Sequence, residues 1–224
     1  MKTKLLAFIA LFLASCVMAQ KEIQLPTPSK SGGQNSIELP APVKTGGMPL
    51  MEALCKRSTN RMMDSTRHLS EQQLSDLVWA AWGINRPDGR RTAPSALNRQ
   101  EIDLYLIGRS GAYLYDASEH KLIPVAEGDH RAEVNNQEFT KTGDWILIYV
   151  ADYSRMSSDD AQRNAVTAGI DAGLIAQNVY LYGASEGLAV VVHMSLNQKE
   201  IAEILHLGAT QHIVLGQTVG LPAE

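Results

Sequence analysis

The sequence predicts an α+β fold, with helices laid on a mixed or antiparallel sheet. Three observations carry this. Helical and strand patterns interleave, but a hairpin pattern over Gly111–Val125 interrupts the alternation that a doubly wound α/β fold keeps. A continuous apolar run, Trp145–Ala151, has the character of a central strand buried on both faces. No G-x-G-x-x-G follows a strand, so the dinucleotide fingerprint of open parallel sheets is missing.

The chain has 224 residues, 45% of them hydrophobic, enough for one domain with a sizeable core. A formal net charge of −4 excludes the basic footprint of a nucleic-acid binder and disfavours anionic lipid as a partner. Residues 1–19 read as a signal peptide: Lys2 and Lys4 precede the apolar run Leu5–Leu13, which is too short to span a bilayer. Val17-Met18-Ala19 before Gln20 fits a signal peptidase site. Leu13-Ala14-Ser15-Cys16 instead resembles a bacterial lipobox, and only lipidation of Cys16 would make the membrane a partner. Both readings place the protein outside the cytoplasm, in the periplasm. Without the leader Cys55 is the one remaining thiol, so no internal disulfide forms.

Residues 20–48 read as a linker rich in Pro and Gly. It carries a near-repeat, I-Q-L-P-T-P-S-K-S-G-G from Ile23 and I-E-L-P-A-P-V-K-T-G-G from Ile37. Paired prolines favour extended chain and Gly-Gly ends each copy. The repeat reads as a duplicated tether with no specific partner, or as a second copy that docks along the body or on a partner subunit.

Residues 49–224 form the domain. Pro49–Lys56 predicts a short helix with Met51, Leu54 and Cys55 on one face, and Cys55 as a small buried residue. Ser70 to Gln73 is a capping box opening a helix whose stripe is Leu74, Leu77, Val78, Ala81 and Trp82, ended at Gly83. Trp79 and Trp82 read as core. Arg90-Arg91 reads as a solvated turn, Thr92–Gln100 as a polar loop, and Glu101–Gly108 as a strand. Gly111–Asp116 and Leu122–Val125 form the hairpin, and Gly128–Phe139 holds a short helix. Ser157–Gly183 is the longest helical pattern, rich in alanine, with Gly169 and Gly173 suggesting close approach of another helix or of a second copy. Asp159-Asp160 opens it, where negative charge is favoured. Leu188–Met194 is a strand, Asn197 caps a short helix through Leu205, Gln211–Gly216 is the last strand and Gln217–Glu224 a tail.

Three segments suit ligand chemistry. Lys56–Arg61 offers Arg57 and Arg61 as guanidinium forks with Ser58 and Thr59 hydroxyls between them, the donor set a phosphate takes. Thr92–Gln100 holds the amides Asn98 and Gln100, which both donate and accept and so suit a flat heterocycle. Ala184–Leu188 contains Glu186-Gly187, where glycine permits close backbone approach. Each has a plainer structural reading as well: a solvated helix end, a loop entering a strand, a helix C-cap. His193 reads as a core or edge group.

These segments resemble, in order, those of the nitroreductase family of flavin enzymes. Arg57, Ser58, Thr59 and Arg61 are similar to its R-x-S-x-[RK] phosphate and ribityl site, with Met63 where an aromatic often stands. Pro94, Ser95, Asn98 and Gln100 fill its P-S-x-x-N-x-Q segment. Glu186 and Gly187 match its E-G turn beside the flavin N5. The terminal basic residue of the family has no counterpart in Gly216–Pro222. The resemblance, spanning about Pro49 to Pro222, implies the nitroreductase-like FMN-binding fold, a central mixed or antiparallel sheet flanked by helices. It implies an intertwined homodimer with FMN in two interface sites, and hydride transfer through the flavin in two half-reactions with a small-molecule substrate. Export removes the protein from cytosolic NADH and NADPH, so an unknown donor, or oxidase chemistry as in the azoline-oxidising branch, is expected. The alternative is a non-catalytic flavin- or heterocycle-binding module. No metal-ligand spacing and no catalytic side chain is recognised.

Overall fold

The computed structural model describes residues 35–224. The leader, Cys16 and the first repeat lie outside these residues. The elements run β1 (Ile37–Glu38), α1 (Leu50–Lys56), α2 (Glu71–Trp82), β2 (Ile102–Ile107), β3 (Gly111–Asp116), β4 (Lys121–Glu127), α3 (Arg131–Val134), α4 (Glu138–Thr142), β5 (Trp145–Asp152), α5 (Ala161–Glu186), β6 (Ala189–His193), α6 (Gln198–Ile204) and β7 (Gln211–Gly220). One seven-stranded sheet has the order β1-β4-β3-β2-β5-β7-β6, antiparallel at every pairing. The α+β class follows from this topology.

Helices cover both faces. Leu147, Tyr149 and Ala151 of β5, with Ile102, Leu104 and Leu106 of β2, face α2 and α5. Ile146, Ile148 and Val150 face the other way, toward Ile201 and Leu205 at α6. Strand β5 is therefore apolar at successive positions, because both of its faces are dry. Helix α2 starts as the sequence predicts: Ser70 Oγ accepts the Gln73 N–H and the Gln73 side chain returns to the Ser70 N–H.

Several expectations change. Strand β7 continues to Gly220, through what reads as tail. The polar residues there are paired inside: Gln217 Oε1 accepts the Tyr149 hydroxyl at 2.5 Å and Gln217 Nε2 donates to the Ala176 carbonyl at 3.1 Å. Helix α5 runs past Gly183, whose missing side chain makes room for Val190; a Cβ there would stand 2.5 Å from Val190 Cγ2. The helix stops instead at Gly187, in the left-handed region at φ 68°. Gly169 and Gly173 meet nothing within 4 Å of a built Cβ, so no described helix of the chain packs on them.

On α1 only Ala53 is buried, while Met51 is 71% exposed and Cys55 is exposed, so the predicted apolar face points outward. Residues 128–139 hold α3 and the start of α4, split at the extended Asn135. Asn197 precedes α6 without a side-chain cap; its amide donates to Glu133 O instead. Of the two readings of the near-repeat, docking describes the second copy: β1 pairs with the β4 edge.

Candidate functional site

Two of the three segments meet at the C-terminal half of α5. Arg57 closes α1, and its guanidinium carbon lies 5.4 Å from the Tyr180 ring centroid. Thr59 Oγ1 shares a hydrogen bond with the Tyr180 hydroxyl at 3.0 Å, and that hydroxyl also accepts the Val192 N–H at 2.9 Å. The Asn60 N–H donates to Val190 O at 3.0 Å. The basic segment is thereby stitched to both α5 and β6, with Ser58, Thr59 and Arg61 exposed. Glu186 and Gly187 lie at the end of the same helix. The left-handed Gly187 leaves open space where a Cβ would be, and Ser185 Oγ beside it accepts the Met48 N–H at 2.8 Å while donating to Glu186 Oε1.

The third segment stands elsewhere. Its Ala96 N–H donates to Asp171 Oδ2 at 2.8 Å, nine residues before Tyr180 on α5, or roughly 14 Å along the axis. What reads as a polar loop contains a 3₁₀ turn, Ala96–Asn98, with Leu97, Asn98 and Gln100 all at positive φ near 50°. Three non-glycine residues in the left-handed region are strained, by on the order of 1–3 kcal/mol each. Bonds from several directions hold them: Ser95 Oγ accepts the Gln100 N–H, Gln100 Oε1 accepts from Arg91 Nε at 2.8 Å, and Gln100 Nε2 donates to Gly89 O and Asn98 Oδ1. The Gln100 amide is thus engaged at both ends, while Pro94 and Asn98 are exposed.

Arg91 departs from the solvated-turn reading. It also donates to Trp82 O at 2.8 Å and stacks 4.8 Å from the Trp82 ring centroid. Trp82 is core, its Nε1 donating to Ile102 O at 2.8 Å. Asp160 caps α5 by accepting from the Gln162 and Arg163 N–H groups.

Beneath the loop lies a charged cluster that sequence reasoning missed. Arg155 donates to the carbonyls of Gln100 and Glu101 and pairs with Asp103 at 2.7 Å. Glu101 is fully buried, and its carboxyl finds no hydrogen-bond donor among the described residues while ionised; it meets the Asp171 carboxyl, with which it can bond only by carrying a proton. Burial, then the neighbouring Asp171 carboxyl, pushes Glu101 up to about 7, with Arg155 opposing. The available signal was a pair of carboxylates, Glu101 and Asp103, at the head of an otherwise apolar strand. Tyr180 had a fainter one, an aromatic in an alanine-rich helix.

His193 is buried as expected, and its network assigns the tautomer. Asn135 Oδ1 accepts the Gln137 N–H and the Thr140 hydroxyl, so Asn135 Nδ2 donates to His193 Nδ1 at 3.2 Å. The ring proton sits on Nε2, 3.0 Å from Thr218 Oγ1. Burial, then the Arg61 charge, lowers His193 to about 4, which keeps the ring neutral. Met63, at the position an aromatic often holds, is buried with Phe139, Ala189 and Val191.

Comparison with known proteins shows the family. The model described as the Nitroreductase family matches residues 54–221. A candidate nitroreductase of Methanocaldococcus jannaschii is 29% identical over 168 residues, 70% of this chain and 84% of the relative. The crystal structure of a candidate nitroreductase from Ralstonia eutropha JMP134 superposes with a TM-score of 0.80 at 37% identity, over 89% of this chain and 95% of that one. A chain of the E. coli microcin synthetase complex McbBCD shares the fold, with a TM-score of 0.64 at 18% identity over 81% and 76% of the two chains. Sequence and fold together place the chain in the nitroreductase family, whose members are flavin-dependent oxidoreductases.

Proposed function

We propose that the protein is an exported FMN-dependent oxidoreductase that works as a homodimer, each flavin held between two copies. The observation that supports it is the split of the site along α5: the basic segment and the E-G turn at one end, the P-S-x-x-N-x-Q loop at Asp171. On either side of Asp171 α5 presents an apolar stripe that no described residue covers, with Val166 59%, Ile170 59% and Leu174 42% exposed, beside the bare Gly169 and Gly173. A second copy laid on that stripe would bring its own loop to the first copy's basic segment.

The residues fit the group. Arg57 and Arg61 would hold the phosphate, with Ser58 and Thr59 giving hydroxyls. Gly187 offers an unshielded backbone to the ring edge, and Glu186 shares that turn. Pro94, Ser95, Asn98 and Gln100 of the other copy would frame the ring. Bound FMN supplies hydride acceptance and release, in two half-reactions at one site. The chain's own part is to bind and orient it, and no side chain in the site is assigned a proton-transfer role.

The leader motivates a donor other than NADH or NADPH, with a small molecule as the other substrate. The purified protein should carry flavin absorption bands through gel filtration at the volume of a dimer. Colourless protein that ignores added FMN would overturn the reading. Steady-state assays against NADPH, quinol and thiol donors test the donor; fast turnover with NADPH alone would sink that part. The binding-module reading draws on the lack of any Lys or Arg after Lys199. A bound flavin that no donor bleaches would favour it.

A further inference from the structure

The second repeat fills a groove between the β4 edge and α2. Ile37 pairs with Leu122 and Glu38 with Lys121, and Ile37 and Leu39 pack on the main core. The Pro40 carbonyl accepts the Ser75 hydroxyl at 2.5 Å and the Ala41 carbonyl accepts Gln72 Nε2 at 3.1 Å. The Val43 N–H donates to Asp76 Oδ1 at 2.7 Å, and Lys44 Nζ lies 5.5 Å from the Trp79 ring centroid. Gly46 and Gly47 follow at φ +93° and +73°, a backbone that glycine adopts without strain.

The first repeat copies this segment selectively. The half-buried positions of Ile37–Gly47 are Ile37, Leu39, Pro40 and Pro42, and all four recur unchanged as Ile23, Leu25, Pro26 and Pro28. Lys44, Gly46 and Gly47 recur as Lys30, Gly32 and Gly33. The copies differ where Glu38, Ala41, Val43 and Thr45 stand, and all four of those side chains are exposed. At Ala41 and Val43 the groove is met by backbone C=O and N–H, which the Thr27 and Ser29 of the first copy also have. A tether duplicated only for length has no reason to keep all four half-buried positions while every difference falls on an exposed side chain.

We propose that this groove is a receptor for the pattern I-x-L-P-x-P-x-K-x-G-G and that the first repeat, Ile23–Gly33 of the same polypeptide, is its alternative occupant. The N-terminal segment is then held at either of two registers, fourteen residues apart as Ile23 is from Ile37. Extended chain of that length spans roughly 50 Å, which is the length of chain by which the two registers differ. The second repeat is the resting occupant, because seating the first requires the residues between to close a loop.

Amide hydrogen exchange on the full chain tests this. In an Ile37→Asp/Leu39→Asp variant, residues 37–47 lose protection, residues 23–33 gain it, and the β4 edge stays protected. Adding Ile23→Asp/Leu25→Asp removes the edge protection, while β5 remains protected as a control for the fold. A synthetic peptide of residues 22–34 then restores the edge in the fourfold variant, and a scrambled peptide does not. Equal loss of edge protection in the twofold and fourfold variants would overturn the proposal. Protection of residues 23–33 that rises with protein concentration would assign the occupant to another molecule and overturn exchange within the chain. An edge protected with both repeats disabled would point to pairing between two β4 strands and overturn it as well.

Discussion

The Tyr180 hydroxyl accepts the Val192 N–H at 2.9 Å and meets Thr59 Oγ1 at 3.0 Å, so one side chain of α5 ties the basic segment to strand β6. Tyr180→Phe removes both bonds and leaves the Val192 N–H unpaired, a loss of about 1–3 kcal/mol. Flavin affinity should fall with it, because the phosphate segment loses its anchor. Denaturant midpoints together with flavin titration check this; unchanged affinity at lowered stability would confine Tyr180 to a structural role.

Arg57→Ala should weaken FMN binding by about 1.5–3 kcal/mol through lost charge-assisted bonds. The fold should hold, because Arg57 lies at the end of α1, where its recorded partner is the Tyr180 ring. Fluorescence titration of the apoprotein reads the affinity. No change would remove the phosphate assignment.

Glu101 makes the protein less stable as pH rises. Its folded value, pushed up to about 7 by burial and then by Asp171, exceeds its ordinary one. The native state therefore holds a proton that the unfolded chain gives up between about pH 4.5 and 7, and stability falls through that window by on the order of 3 kcal/mol. Glu101→Gln should remove this slope and stabilise the protein above pH 7. Unfolding midpoints at pH 5 and 8.5 compare the two; parallel pH profiles would refute the assignment.

His193 slopes the other way. Burial holds it neutral down to about 4, so the unfolded chain binds a proton first and stability falls as pH drops from 6.5 toward 4. The size is again about 3 kcal/mol, so in the shared window the two groups oppose each other. The unsubstituted chain should show a shallow profile, and His193→Leu should steepen the fall with rising pH. A flatter profile in that variant would contradict the opposition.

Ile170→Glu places a charge in the middle of the exposed stripe of α5. The fold of each copy should survive, since Ile170 is 59% exposed. Sedimentation should shift from dimer to monomer and bound flavin should be lost with it. A variant that stays dimeric and yellow would mean the stripe is not the interface.

How much of this was legible varies by element. The capping box at Ser70 and the apolar run of β5 could be read directly, because each depends on neighbours in sequence. The end of β7 could not: Gln217 and Thr218 look like tail until Tyr149, Ala176 and His193 supply partners. Gly183 looked like a helix stop, and only Val190 packing against it explains why the helix continues. The candidate site segments were visible by residue type and order, but the Glu101–Asp171 contact joins residues far apart in sequence.

By itself the sequence determined the α+β class, the start of α2 and the donor types of the three candidate segments, since propensity, periodicity and donor type are local properties of the chain. Only the tertiary structure decided that Thr59 meets Tyr180 while Ala96 meets Asp171, that the face of α1 bearing Met51 is exposed, and that the second repeat lies in a groove. These outcomes follow from which surfaces lose water together, and that is set by the packing of distant elements rather than by any stretch of residues alone.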